Sequence, residues 1–134
     1  MPFLPRKKRR KYHPTQRKRK PTSDQQFYNT RRWRKTSLLH KMNNPLCEAC
    51  CSVGQTAMVE VTDHIIPITQ GGHHLDERNL MSLCHACHNR KSGMEAHGYM
   101  AEARQIDGGL VPIRRGEVVE RLRGNGIQST RENL

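Results

Sequence analysis

Asp63 and His64 stand side by side in TDHIIPI, Asn79 follows in ERNL, and His88 comes in CHACHNRK. These residue types suit hydrolysis of a phosphodiester. That reaction calls for a base to activate water, a Lewis acid to absorb charge on the phosphate and leaving oxygen, and a scaffold holding both in line. His64 suits the base, because an imidazole near neutral pH accepts a proton from water while staying partly unprotonated. Asp63 and His88 suit the binding of one divalent ion, with positions left over for water and substrate oxygens.

Residues so far apart in sequence need a clamp. Cys47-x-x-Cys50 and Cys84-x-x-Cys87 are two CxxC pairs separated by 33 residues. Each pair can present two thiolates from one turn, and together they would make the four tetrahedral ligands of a closed structural Zn2+ site with no position for water, a reading that the paired spacing and a reducing compartment favour over disulfides or unligated thiols. Cys51 adjoins Cys50, so either could be the second ligand of the first knuckle; Cys51 is read as a spare buried thiol. His88 directly follows Cys87, about 100° around a helix from it, so the zinc would also fix the helix that bears the ligand.

The elements that carry these residues follow from pattern. SDQQFYNTRRWRKTSLLHKM, opened by Ser23 or Asp24 as N-cap and stopped at Asn43-Asn44-Pro45, predicts one helix over about 24–42. AMVEVTDHIIPI predicts a β segment, TQGGHH a glycine turn, and HACHNRKSG a short helix ending near Gly93. Strict alternation sends Asp63 and His64 to opposite faces, so a bulge or a strand ending there is required for both to reach one site. Beyond about residue 93 the chain turns polar and glycine-rich, and only GEVVERLR hints at another helix.

Lys+Arg outnumber Asp+Glu by 24 to 12, and ten of the basic residues fall in positions 1–20 with no acid among them. The other 114 residues carry 14 basic against 12 acidic, so the charge belongs to an arm on a nearly neutral body. Such an arm binds nucleic acid by counterion release; a solvated tail or a nuclear-import signal has the same composition. No apolar run approaches a membrane span and no signal-peptide core follows the basic start, so a cytoplasmic location, no membrane partner and reduced cysteines are expected. Six aromatics and a 34% hydrophobic fraction make a thin core that needs a staple.

DHIIPI followed by GG, NL, LC and CxxCHNxK, with FYNTRRWRK before the first knuckle, resembles the HNH endonuclease family in its four-cysteine subgroup. The resemblance covers about Phe27 to Ser92. It implies a small α+β fold, a ββα-metal (HNH, or His-Me finger) core with a four-cysteine zinc site, preceded by one helix and a disordered basic arm. Around the stretch it covers, composition sets off a basic arm over 1–22 and a polar extension over 94–134 with a helical hint in GEVVERLR, leaving 23–93 for the nuclease domain. The resemblance further implies that His64 is the general base, that Asp63 and His88 hold a catalytic Mg2+ or Mn2+, and that Asn79 is a scaffold residue tethering the loop between the strands. Small HNH proteins of this type resemble those encoded by phages beside their packaging machinery, so DNA and a terminase-like ATPase are the expected partners.

Other residues carry weaker signals. Lys91, three residues past His88, either meets a DNA phosphate or is a solvated lysine. Arg31, Arg32, Arg34 and Lys35 form a basic cluster suited equally to phosphate contact and plain solvation. Phe27, Tyr28 and Trp33 are expected to pack the first helix on the knuckles. His73 and His74 are expected exposed in their turn, His85 facing solvent; His13, His40 and His97 have no partner the sequence names. The competing reading is a non-catalytic zinc-ribbon protein that binds nucleic acid, which has no use for Asp63-His64, Asn79 and His88 together.

Overall fold

The computed structural model describes residues 19–123. The basic arm lies outside the described residues except for its last four positions, and His13 lies outside with it.

Two helices stand where one was expected, α1 (Ser23–Tyr28) and α2 (Arg31–Asn43). Thr22 caps the first through a capping box. The break between them comes from Thr30, whose Oγ1 accepts the Trp33 amide at 3.2 Å and donates to the Phe27 carbonyl at 2.7 Å. One hydroxyl thus satisfies the end of one helix and the start of the next, which a continuous helix would not need. The chain leaves α2 at Asn44-Pro45 and enters the first knuckle. There the Cys47 amide donates to Ala57 O at 2.8 Å, around the short helix α3 (Glu48–Cys51).

Strand β1 (Val61–His64) pairs antiparallel with β2 (Leu80–Leu83), Thr62 opposite Ser82 and His64 opposite Leu80. Helix α4 (His85–Ala96) completes a ββα unit. It runs past Gly93, the expected stop. The turn comes instead at Gly98, which takes φ +90° while its amide donates to Glu95 O.

Residues beyond 96 are more than a polar extension. Strands β3 (Ala103–Ile106) and β4 (Gly109–Pro112) form a hairpin around Asp107-Gly108, a turn signal easily missed between strands of only four residues. A last helix, α5 over 116–123, coincides with GEVVERLR. Ala101, Val118 and Leu122 join the buried cluster of Cys47, Ile65, Ile66, Met81 and Leu83. Arg115 ties this segment to both knuckle and loop, donating to Glu48 Oε1 at 2.7 Å and to Glu77 O at 3.1 Å.

Candidate active site

Strand alternation holds through β1, and the ladder ends at His64 without a bulge. Thr62 and His64 face α2: Thr62 Oγ1 donates to Ser37 O at 3.2 Å, and the His64 ring stacks on Trp33 at 4.7 Å and 25°. Asp63 faces α4 instead, its Oδ2 2.8 Å from Lys91 Nζ and its Oδ1 3.8 Å from His88 Nε2. Because β1 has β2 on one side only, both faces open onto its free edge. Asp63, His64 and His88 therefore line one cleft of ≈ 260 Å³, together with Asp24, Tyr28 and Glu95.

The protonation state of His64 follows from its partners. Nε2 lies 2.8 Å from the His74 carbonyl oxygen, which accepts only, so Nε2 carries the hydrogen. Nδ1 is then the basic nitrogen, and the Tyr28 hydroxyl donates to it at 3.3 Å. Burial of the ring lowers the His64 pKa, and the His74 hydrogen bond partly opposes this. A neutral imidazole at neutral pH, its Nδ1 lone pair met only by this long hydroxyl contact, is what a general base requires. Burial, reinforced by the nearby Asp63 carboxylate, pushes Tyr28 up to about 12, so its hydroxyl keeps its proton and acts as a donor.

The loop that brings His74 to His64 is held from inside and outside. Asn79 is fully buried; its Oδ1 accepts the Ile66 amide at 2.7 Å, and its Nδ2 donates to Ile66 O at 3.0 Å and His73 O at 2.8 Å. On the other side, His73 N donates to Leu110 O and Leu110 N to Gly71 O, both at 2.9 Å, so β4 braces the turn. The close approach demands glycine: a Cβ on Gly72 would lie 1.8 Å from Ile66 O.

Residues 47–93 match the family model described as HNH endonuclease. A solved structure similar to the chain is that of an HNH endonuclease from the deep-sea thermophilic bacteriophage GVE2, with manganese ion. The two share 34% identity over 57% of this chain and 85% of that one, with a TM-score of 0.51. The chain belongs to the HNH endonuclease family. No curated protein matches it. This HNH endonuclease is thus a nuclease of small α+β fold, and among its described residues no helix is long and apolar enough to cross a membrane.

The metal-binding knuckles of the HNH endonuclease assemble from Cys47, Cys50, Cys84 and Cys87, all buried, with their sulfurs within 4.8 Å of one another. Among the described residues no other set of three or more His, Cys, Asp or Glu ligands converges so closely. Cys50 Sγ lies 3.9 Å from Cys84 Sγ and 3.8 Å from Cys87 Sγ. Four sulfurs at ~2.3 Å around one tetrahedral ion stand ~3.8 Å apart, so the cluster fits zinc. Cys51 is outside it and exposed, contrary to its expected burial, because it sits on the solvent side of α3.

Several side chains differ from their sequence reading. Lys91 neither reaches out nor is solvated: it is 2% exposed, and its Nζ bonds Asp63 Oδ2, Glu95 and, at 2.8 Å, the His64 carbonyl. A phosphate contact is closed to it, since its donors are committed inside. The aromatics Phe27, Tyr28 and Trp33 pack around His64 and His74 rather than on the knuckles. His73 is half-buried, its Nδ1 accepting the amides of Leu75 and Asp76. His85 is exposed, as expected, and meets Glu60 at 3.0 Å. His40 is buried, and neither ring nitrogen has a hydrogen-bond partner among the described residues. Arg31, Arg32, Arg34 and Lys35 are exposed on α2. Tyr28 and the His74 carbonyl were missed as neighbours of the base; the Phe27-Tyr28 pair six residues before Trp33 was the available signal for the first, whereas nothing in a residue type marks a backbone oxygen.

Proposed function

We propose that this HNH endonuclease hydrolyses the phosphodiester backbone of DNA, with His64 as general base and one divalent cation held by Asp63 and His88. The observation that carries the reading is the shared cleft, in which an imidazole hydrogen-bonded through Nε2 to a backbone carbonyl lies beside a carboxylate and a second imidazole. The 3.8 Å between Asp63 Oδ1 and His88 Nε2 is within the ~4.2 Å that two ligands at ~2.1 Å from one ion can span. Lys91 engages Asp63 Oδ2 and leaves Oδ1 for that ion. One carboxylate oxygen, one imidazole and room for water suit Mg2+ or Mn2+, and the phage relative was solved with manganese ion.

A cation held by Asp63 and His88 would supply Lewis acidity at the phosphate. His64 Nδ1 takes the proton of the water that attacks phosphorus in line. The charge gained by the ring is stabilised at Nε2–H by the His74 carbonyl, which Asn79 keeps in place from the loop interior. Tyr28 yields Nδ1 to the incoming water and remains a donor in the cleft wall. The family resemblance implies products with 5′-phosphate and 3′-hydroxyl ends. The four thiolates would hold a structural zinc and so anchor α4 and with it His88. The resemblance to small phage HNH proteins encoded beside packaging machinery extends the proposal to work with a terminase-like ATPase, which would then copurify with this chain.

The test is plasmid nicking in Mg2+ and in Mn2+ with the parent, His64→Ala and His88→Ala. Loss of the base should cost at least about 100-fold in rate while zinc content and circular dichroism stay as in the parent. Cutting by His64→Ala at the parental rate would overturn the assignment.

A further inference from the structure

The cleft has a second arm. A cavity of ≈ 270 Å³ shares Tyr28, Asp63 and His88 with the first and continues along α2, where Trp33, Ser37 and Lys41 line it. The two arms differ in charge. The first carries Asp24 and Glu95 besides Asp63, whereas the second adds no carboxylate to Asp63 and contains Lys41. Lys41 is half-buried and forms no ion pair among the described residues, unlike Lys91, which is spent on two carboxylates.

A strand whose scissile phosphate sits at the shared Asp63 and His88 meets the further carboxylates of Asp24 and Glu95 on one side and an unneutralised ammonium on the other. Helix geometry extends the attractive side. Arg34 is seven residues before Lys41, so it lies on nearly the same stripe of α2, about 10.5 Å away along the axis. That is about three nucleotides of one DNA strand at 3.4 Å each. Arg31 and Lys35 lie roughly 80° and 120° further round the helix from Lys41, away from the cleft. The exposed basic cluster read from sequence is thereby divided, and its cleft-side member is joined by a lysine the cluster did not include.

We propose that the arm lined by Lys41 is a subsite for a DNA phosphate next to the scissile one, with Arg34 continuing the same strand path. The proposal rests on the hydrolytic reading for its scissile position. Its ligand is the phosphodiester backbone itself, so the contact positions a strand without selecting its sequence.

The experiment measures binding apart from cutting. Fluorescence anisotropy with a short DNA duplex is run on His64→Ala protein, alone and with Lys41→Ala, Arg34→Ala, Arg31→Ala or Lys35→Ala added. Lys41→Ala should weaken binding about tenfold on duplexes of unrelated sequence, and should lower the slope of log K against log salt by about 0.9. Arg34→Ala should act in the same direction, and Arg31→Ala and Lys35→Ala should act clearly less. With an active His64, Lys41→Ala should raise KM for DNA more than it lowers kcat. Parental affinity in Lys41→Ala with an unchanged unfolding midpoint would overturn the subsite, as would equal losses at Arg31 and Lys35. If parent protein fails to nick plasmid while Lys41→Ala still loses affinity, the hydrolytic reading fails and the phosphate contact stands.

Discussion

Replacement of Lys91 by methionine isolates what the buried ammonium does, because the new side chain keeps most of the volume and removes only the charge and donors. In the parent, Nζ is within 2.8 Å of both Asp63 Oδ2 and the His64 carbonyl, and it also pairs with Glu95. Breaking a buried pair by removing one partner costs about 3–5 kcal/mol. The Asp63 and Glu95 side chains keep 19% and 27% exposure, so water recovers part of that, and about 2 kcal/mol is the reasonable remainder. The orphaned His64 carbonyl adds about 1 kcal/mol. Urea denaturation of zinc-loaded protein should therefore show Lys91→Met about 3 kcal/mol less stable than the parent at pH 7.5, with an unchanged slope against denaturant. A double-mutant cycle with Glu95→Gln should return a coupling of about 1 kcal/mol or more, since part of the loss is the uncompensated carboxylate. A surface lysine would cost less than about 0.5 kcal/mol. A loss that small for Lys91→Met, or additivity with Glu95→Gln, would refute the argument that this cation organises the site.

Three further outcomes follow from the same geometry. Cys50→Ser should release one equivalent of zinc and abolish cooperative unfolding, whereas Cys51→Ser should change stability by no more than about 0.5 kcal/mol; metal analysis and calorimetry on both variants separate the two adjacent thiols. Gly72→Ala should cost about 3 kcal/mol or more and slow cutting more than it alters zinc content, because relief of the 1.8 Å approach to Ile66 O displaces the loop that presents the His74 carbonyl. Burial lowers the His40 pKa, with Arg115 adding to the effect, so the unfolded chain takes up that proton first as pH falls. Stability from a neutral His40 is complete above about pH 6.5 and declines below it by at most about 1.4 kcal/mol per pH unit. His40→Leu should accordingly flatten the difference in denaturation free energy between pH 7.5 and pH 5.5; an equal decline in both proteins would assign the acid sensitivity elsewhere.

How much of this was legible in the sequence depends on the kind of signal. Spacing carried the clamp: two CxxC pairs in a chain with a thin core have few other uses, and the sulfurs do converge. Residue chemistry and the family resemblance, not spacing, singled out Asp63, His64 and His88, which line one cleft; the ladder ends at His64, but it is the free edge of β1 that opens both of its faces onto that cleft. What escaped was set by partners distant in sequence. Lys91 reads as a surface cation because a lysine is rarely buried unless paired, and its pairing with Asp63 exists only once β1 lies against α4. The i, i+4 spacing of Lys91 and Glu95 hinted at a partner, but such pairs are common on exposed helices. The β3–β4 hairpin escaped because four-residue strands carry too little alternation to be seen, although Asp107-Gly108 marked the turn. Thr30 escaped because a threonine inside a run of helix formers looks like a tolerated residue, not a double cap.

The dependence of the site on the C-terminal segment is the least expected consequence. A two-stranded ribbon is marginal by itself in water, and the loop between β1 and β2 has to present a backbone carbonyl to a catalytic ring within hydrogen-bond distance. Asn79 fixes that loop from within, but its hydrogen bonds reach only Ile66 and His73. The outer side is held by β4 through Leu110, and β4 is in turn tied down by Val111, Val118 and Leu122 in the core and by Arg115 on Glu48 of the first knuckle. A chain cut after α4 would keep every cysteine and every residue proposed for catalysis. It should nevertheless cut poorly, because the His74 carbonyl would lose the brace that sets the tautomer of His64. Truncation at residue 98, assayed for zinc content and for nicking, separates these: retained zinc with activity reduced about tenfold or more is the expected result, and full activity would mean that Asn79 alone positions the loop.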